Sequence, residues 1–158
     1  MTNPYATHLG TRNPRDVVKE TPAKLEALVK KLGADVEKIP APGKWSPRMV
    51  VCHLADCEIA FGFRIRQALA EPNHTIQPFD QDLWAKPYSS GKFSATLALE
   101  MFSVSRRWNT ALLDSIGAEE LKRPVTHPER GAMTLQTIVE TMAGHDLNHI
   151  AQMERQVS

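Results

Sequence analysis

The sequence has few cysteines, no long apolar run and almost no net charge, and each shortage excludes a class of protein. Its two cysteines, Cys52 and Cys57, would point about 140° apart on a helix, so a disulfide between them is not expected. No stretch approaches the roughly 20 apolar residues that a membrane-spanning helix needs. The 19 basic residues balance 18 acidic ones without forming a basic block, so neither nucleic acid nor a membrane surface is expected as a partner.

The amino-terminal residues also lack the basic start and the apolar run of a secretory signal. Together with two reduced thiols, this predicts a cytoplasmic protein. The chain has 158 residues, the size of one domain, and such a domain buries roughly 70% of its unfolded surface without needing disulfides. We therefore expect a single domain over residues 1–158, in which residues 1–12 form a loosely ordered segment.

Four amphipathic helices are predicted from the helical spacing of apolar residues and from the polar or proline residues that precede them. They run from Pro14 to Leu32, from the Ser46–Pro47 pair to Ala70, from Ser94 to Ile116, and from the cap Thr134 to Arg155. Pro22 lies inside the first helix, which it either kinks or restarts.

Alternating apolar and polar runs, the pattern typical of strands, are nearly absent. The prediction is therefore an all-α protein, a four-helix bundle of the up-and-down type. Residues 71–92 form a long crossover between helices 2 and 3, and their aromatic residues are expected to pack over one end of the bundle. The stripe predicted to face the core from the third helix comprises Leu97, Met101, Val104, Trp108, Leu112 and Ile116.

Histidines occupy positions in this bundle where leucines would be expected. In the fourth helix the inward positions, spaced by threes and fours, are Leu135, Ile138, Met142, His145, His149 and Gln152. In the second helix the same spacing selects Val50, His53, Cys57, Ala60 and Arg64. Three imidazoles are thus predicted to point into the core.

A buried imidazole has two ring nitrogens to satisfy, and three together are hard to satisfy unless they share an electrophile. A divalent metal ion fits that need, with Zn or Ni favoured and Fe or Mn also suited to imidazole. Three histidines leave coordination positions open, as catalytic sites do. The sequence therefore predicts a metal site at His53, His145 and His149, and leaves the catalytic residues unknown.

Four further residues are candidates for a role near the metal. Cys57 is either a soft ligand or a small core residue, and the core role is favoured. Asp56 and Asp146 would accept a ring N–H from a ligating histidine or lie on solvated helix faces. Arg64 would either extend to solvent or bind an anionic group of a substrate.

The remaining histidines and arginines are interpreted as ordinary surface residues. His8, His74 and His127 lie in terminal or polar loop segments and are expected to be exposed. The pair Arg106–Arg107 is expected on a solvated helix face or in local ion pairs.

Four segments carry a family resemblance. Residues 43–47, GKWSP, followed by residues 53–58, HLADCE, resemble the "W-S-…-H-L-x-D-x-E" helix of the DinB-like superfamily. Residues 144–152, GHDLNHIAQ, resemble its second signature, "H-D-x-x-H-x-x-Q". The FDQDLW stretch at 79–84 and Thr21–Pro22 resemble the DinB_2 branch, and the resemblance extends from about residue 14 to 155.

This resemblance implies a four-helix bundle with a divalent metal on His53, His145 and His149. Characterised relatives include metal-dependent transferases and isomerases that use low-molecular-weight thiols such as bacillithiol or mycothiol, and relatives are often homodimers. The first hypothesis is thus an enzyme that activates a thiol or a water nucleophile, either a thiol-dependent S-transferase or a hydrolase, acting on a small-molecule substrate.

Two other hypotheses remain. One is a non-catalytic, metal-stabilised module for binding or dimerisation, against which the open coordination positions argue. The other is an interaction protein without metal, in which each unpaired buried group would cost ~1–3 kcal/mol.

Overall fold

The computed structural model describes residues 3–156 of the chain. Within them lie seven α-helices, of which four are long: α1 Ala6–Leu9, α2 Pro14–Leu32, α3 Pro47–Ala70, α4 Gln81–Ala85, α5 Ala95–Asp114, α6 Ala118–Leu121 and α7 Leu135–Glu154. The four long helices are those predicted, and they form the predicted bundle. None of the described helices combines the length and the apolar character needed to cross a membrane.

The long helices begin where side chains satisfy the first backbone N–H groups. The Asn13 side chain accepts a hydrogen bond from the N–H of Arg15. Pro14 is the first residue of α2, and because proline has no backbone N–H, it leaves no donor unsatisfied there. Ser46 caps α3 in the same way, again followed by a proline. These capping contacts determine where α2 and α3 begin, and both helices begin at the predicted residues.

Pro22 lies inside an unbroken α2 and does not restart it. Because proline has no N–H, the carbonyl of Val18 one turn earlier loses its helical partner. Nη1 of Arg106, from α5, donates to that carbonyl at 2.9 Å. A side chain from the neighbouring helix thus replaces the missing backbone hydrogen bond.

Each long helix packs against two others around the bundle. α2 contacts α5 and α7, and α3 contacts the same two helices, so α2 lies diagonally opposite α3, and α5 lies diagonally opposite α7. α3 and α5 approach closely at Gly62, where a Cβ atom would lie 2.6 Å from Oδ1 of Asn109. This arrangement places α3 beside α7, so the histidine of α3 can meet the two histidines of α7.

The prediction that the apolar stripe of α5 faces the core is wrong for most of its length. Leu97, Met101, Val104 and Trp108 are 40–70% exposed, whereas only the last two residues of the predicted stripe, at 112 and 116, pack against the core. The buried face of α5 carries Ala95, Ala98, Phe102, Arg106, Asn109 and Leu113. Arg106 and Asn109 lie on that face because they make ionic and amide contacts with Glu58, so hydrophobicity alone selected the wrong side.

A small sheet lies in segments that were predicted to contain no strands. Its strands are β1 His74–Thr75, β2 Pro124–His127 and β3 Gly131–Thr134, in which β1 pairs parallel to β2 and β2 pairs antiparallel to β3. Strands of two to four residues are too short to show an alternating pattern. β3 leads directly into α7, which fixes the start of the helix that carries two of the histidines.

The amino-terminal segment packs on the bundle. Within residues 1–12, which were expected to be loosely ordered, α1 contacts α7. The contact is tight at Gly144, where a Cβ atom would lie 2.5 Å from the backbone oxygen of Tyr5. In the crossover, Phe79 and Tyr88 pack against the core, while Trp84 stays 43% exposed.

Candidate metal centre

The three histidines predicted as ligands meet in the core between α3 and α7. His53, His145 and His149 are 2%, 4% and 7% exposed. The Nε2 atoms of His53 and His145 are 3.0 Å apart, and the ring of His149 lies 4.9 Å from the first ring and 4.5 Å from the second, centroid to centroid. The spacing of the histidines along the two helices therefore brings the three rings together, although the donor atoms that lie within 4.8 Å of one another are those of His53, His145 and Cys57, not His149.

Burial keeps these imidazoles neutral. Desolvation, with a further contribution from the neighbouring His149, lowers the pKa of His53 to about 3. The pKa of His145 lies well below its ordinary value, because desolvation and then the two other imidazoles oppose its charge. The pKa of His149 is lowered by burial as well. Neutral imidazole is the form that ligates a metal.

The ring nitrogens are only partly satisfied by the protein. Nδ1 of His149 donates to Oε1 of Gln152 at 2.9 Å, which leaves its Nε2 with a free lone pair. Nδ1 of His145 is buried and has no hydrogen-bond partner among the described residues. Where His53 meets His145, one nitrogen must give an N–H to the other unless both share a cation. The donor set and the unpartnered nitrogen both fit a divalent metal ion.

Cys57 extends this donor cluster. Its Sγ atom lies 3.5 Å from Nε2 of His53 and 3.9 Å from Nε2 of His145, and the three donor atoms lie within 4.8 Å of one another. Burial, followed by the nearby carboxylates, raises the pKa of this thiol far above its ordinary value, so the free thiol is uncharged. Sequence reasoning favoured a core role for Cys57, and the structure places it both in the core and beside the imidazoles.

The two candidate carboxylates contact other residues. Oδ2 of Asp56 accepts the hydroxyl of Tyr88 at 2.5 Å, and Oδ2 of Asp146 accepts Nη1 of Arg106 at 2.7 Å. The amide of Gln152, rather than Asp146, is the hydrogen-bond partner of His149.

An ionic cluster that the sequence did not reveal lies next to the histidines. Arg106 was expected on a solvated helix face or in local ion pairs, but it is 1% exposed and pairs with Glu58 and Asp146, which two other helices carry. Burial opposes its charge, but the two carboxylates outweigh that effect and raise the pKa of Arg106. Because Asp146 directly follows His145, the cluster fixes this part of α7 against α3 and α5. The one sequence signal that could have indicated the burial of Arg106 is its position one helical turn after Phe102.

A cavity of about 280 Å³ opens from the donor cluster towards the surface. Its walls include His53, Cys57, His145, Phe61, Phe79, Arg64 and His127. His127 was expected to be exposed but is buried on β2, where its Nδ1 accepts the N–H of Glu129 at 3.2 Å. His8 is exposed as expected, whereas His74, also expected to be exposed, is half-buried on β1, where its Nδ1 lies 2.8 Å from Oε2 of Glu71.

Comparisons with known proteins identify a matching family and similar proteins. The family model described as DinB_2, of the DinB superfamily, matches residues 18–153. A protein of Bacillus cereus (strain B4264), named "Putative metal-dependent hydrolase", is 31% identical over 140 residues, which are 86% of this chain and 79% of the relative. A protein of Bacillus thuringiensis subsp. konkukian (strain 97-27) has the same description, identity and coverage.

A solved structure is similar as well. YfiT from Bacillus subtilis, described as "a probable metal-dependent hydrolase with an unusual four-helix bundle topology", has a TM-score of 0.83 and 27% identity. The match covers 90% of this chain and 83% of that chain.

Proposed function

The chain belongs to the DinB superfamily, and on that premise we propose that it is a metal-dependent hydrolase whose metal ligands are His53, His145 and His149. The observation that carries the proposal is the meeting of three buried, neutral imidazoles, one of which has a ring nitrogen without a partner. Three histidines leave coordination positions open, which is the layout of catalytic sites. Zn or Ni suits this donor set best, and Fe or Mn is also compatible.

The residues around the site have roles that follow from their contacts. Gln152 holds the ring of His149 so that Nε2 is its ligating atom, and Tyr5 packs edge-on against His145 with ring centroids 5.1 Å apart. Phe61 and Phe79 provide apolar walls that limit water in the cavity. A divalent ion held by the histidines would lower the pKa of a bound water or thiol towards neutrality and supply the nucleophile.

Without a metal ion, burial raises the pKa of the Cys57 thiol, so the protein alone does not activate it. In the hydrolytic form of the reaction the nucleophile is water. A low-molecular-weight thiol would replace water in the second form of the reaction, the S-transfer that the resemblance implies. The two forms differ in whether turnover needs an added thiol.

The experiment uses protein purified without a histidine tag and loaded with Zn, Ni, Fe or Mn. Hydrolysis of a panel of esters and amides is measured alone and with bacillithiol, mycothiol, glutathione or cysteine. We expect metal-dependent turnover that His149→Ala abolishes and His74→Ala retains, since His74 contacts Glu71 outside the cavity. Equal metal content in wild type and His149→Ala would contradict the ligand assignment. Stoichiometric metal without turnover would favour the non-catalytic module.

The proposed macromolecular partner is a second copy of the chain. On α5 the exposed residues Leu97, Met101, Val104 and Trp108 are spaced four, three and four residues apart, the seam by which helices pair. A two-fold axis would place this seam against the same seam of the other copy. Sedimentation should give a dimer for wild type and a monomer for Trp108→Glu, and a wild-type monomer would contradict this proposal.

A further inference from the structure

Two guanidinium groups, those of Arg64 and Arg130, line the cavity that opens on His53 and His145. Arg64 comes from α3, three turns after the first histidine, and Arg130 is the last residue of the turn between β2 and β3. Both side chains line the same cavity. Desolvation, opposed by Cys57, lowers the pKa of Arg64, and the charge of Arg130 acts in the same direction as desolvation. Like charges held together in a half-enclosed space favour a bound anion.

The Arg64 guanidinium is oriented by contacts that leave most of its donors free. Nη2 donates to the backbone oxygen of Gln77 at 3.2 Å. The guanidinium carbon lies 5.9 Å from the ring centroid of Phe61 and 5.6 Å from that of Phe79. A planar, partly desolvated guanidinium between aromatic rings suits bidentate binding of a carboxylate.

The protein does not neutralise this pair. Within residues 3–156, neither Arg64 nor Arg130 forms an ion pair with a carboxylate, whereas Arg48 pairs with Glu37 and Arg106 pairs with Glu58. Glu129 is the one carboxylate lining this cavity in the described part of the chain.

The two guanidinium groups, of Arg64 and Arg130, outnumber the single carboxylate, that of Glu129, among the described side chains that line the cavity. These charged side chains therefore favour an anion over a cation.

We propose that this cavity binds a small organic carboxylate, with the carboxylate on Arg64 and Arg130 and an apolar body along Phe61 and Phe79. This inference rests on the proposed function, because the remaining end of the molecule would then face the histidines, where the reaction occurs. The cavity of about 280 Å³ lies at the lower end of small-molecule sites, which limits the substrate to a small molecule. The carboxylate end fixes the orientation of the bound molecule, and the aromatic walls of the cavity favour an apolar body.

Calorimetry with metal-free protein tests the proposal without depending on turnover. The probe is phenylacetate, and phenylacetamide is its neutral isostere. We expect saturable binding of phenylacetate and binding of the amide that is weaker by about tenfold or more, as the loss of a charge-assisted pair implies. Arg64→Gln and Arg130→Gln should each weaken phenylacetate binding by a similar factor. Arg107→Gln, an exposed arginine on the far side of α5, should leave it unchanged.

Three results would overturn the proposal: no saturable binding of phenylacetate, equal binding of the amide, or unchanged binding by both cavity variants. Zinc binding measured on the same variants separates this failure from failure of the proposed function. Neither arginine is a proposed ligand, so both variants should bind zinc as wild type does. Loss of phenylacetate binding with zinc binding intact supports the carboxylate site, whereas wild type that binds phenylacetate but not zinc contradicts the metal site alone.

Discussion

Replacement of Arg106 by methionine should destabilise the bundle more than any surface change, because it leaves buried charge without a partner. Arg106 is 1% exposed and donates to Glu58 at 2.5 Å, to Asp146 at 2.7 Å and to the backbone oxygen of Val18 at 2.9 Å. Methionine fills a similar volume but satisfies none of these acceptors. Breaking a buried ion pair by removing one partner costs about 3–5 kcal/mol.

That cost is large against the roughly 5–15 kcal/mol that stabilises an ordinary domain. With a urea dependence of about 2 kcal/mol per molar, the unfolding midpoint should fall by about 2 M. The measurement is urea denaturation followed by circular dichroism. Arg107→Met is the matched control, because Arg107 is the next residue and is exposed, so it should change the unfolding free energy by about 0.5 kcal/mol or less.

The penalty should also depend on pH. Burial raises the pKa of Glu58, and Arg106 offsets part of that rise. Without Arg106 the folded-state pKa rises further, and a carboxyl with a raised pKa gains stability as pH falls and loses it as pH rises. The Arg106→Met penalty should therefore shrink between about pH 7 and about pH 5. Equal midpoints for the two methionine variants, or a penalty that grows on acidification, would refute the reasoning.

Three further predictions concern the histidines and their surroundings. Metal-free protein should lose stability as pH falls from 6.5 towards 3, because unfolded His53 takes up a proton that the folded state excludes, and His53→Gln should flatten the decline in urea titrations across that range. Zinc at 100 times its dissociation constant should raise the unfolding free energy by about 2.7 kcal/mol, and a similar increase in His145→Ala would contradict the ligand assignment. Gly144→Ala should cost about 1–3 kcal/mol by displacing the backbone of Tyr5, and an unchanged cost in a chain lacking residues 1–9 would contradict that cause.

The parts of the fold that local chemistry determines were predictable from the sequence. Ser46–Pro47 and Asn13–Pro14 fix helix starts through their own backbone and side-chain geometry, and those boundaries are confirmed. The inward position of His53, His145 and His149 followed from residue spacing alone, because helical periodicity determines which residues share a face. Their role as metal ligands stays a prediction.

The parts that depend on partners distant in sequence were not predictable. Arg106 looks like a surface residue until Glu58 and Asp146 are brought to it by two other helices. The outward stripe of α5, which ends at Trp108, has the apolar spacing of a core stripe although it is exposed. The β2–β3 hairpin was missed because its strands are short, and with it the burial of His127 in the cavity wall.

The central claim is that His53, His145 and His149 hold one divalent metal ion. Its most direct test is anomalous diffraction from crystals of untagged protein grown with zinc, with data collected on both sides of the zinc absorption edge. The account predicts one anomalous peak per chain, about 2.0–2.1 Å from a ring nitrogen of each histidine. A zinc-replete crystal with no peak at this cluster, or with its peak on other residues, would contradict it.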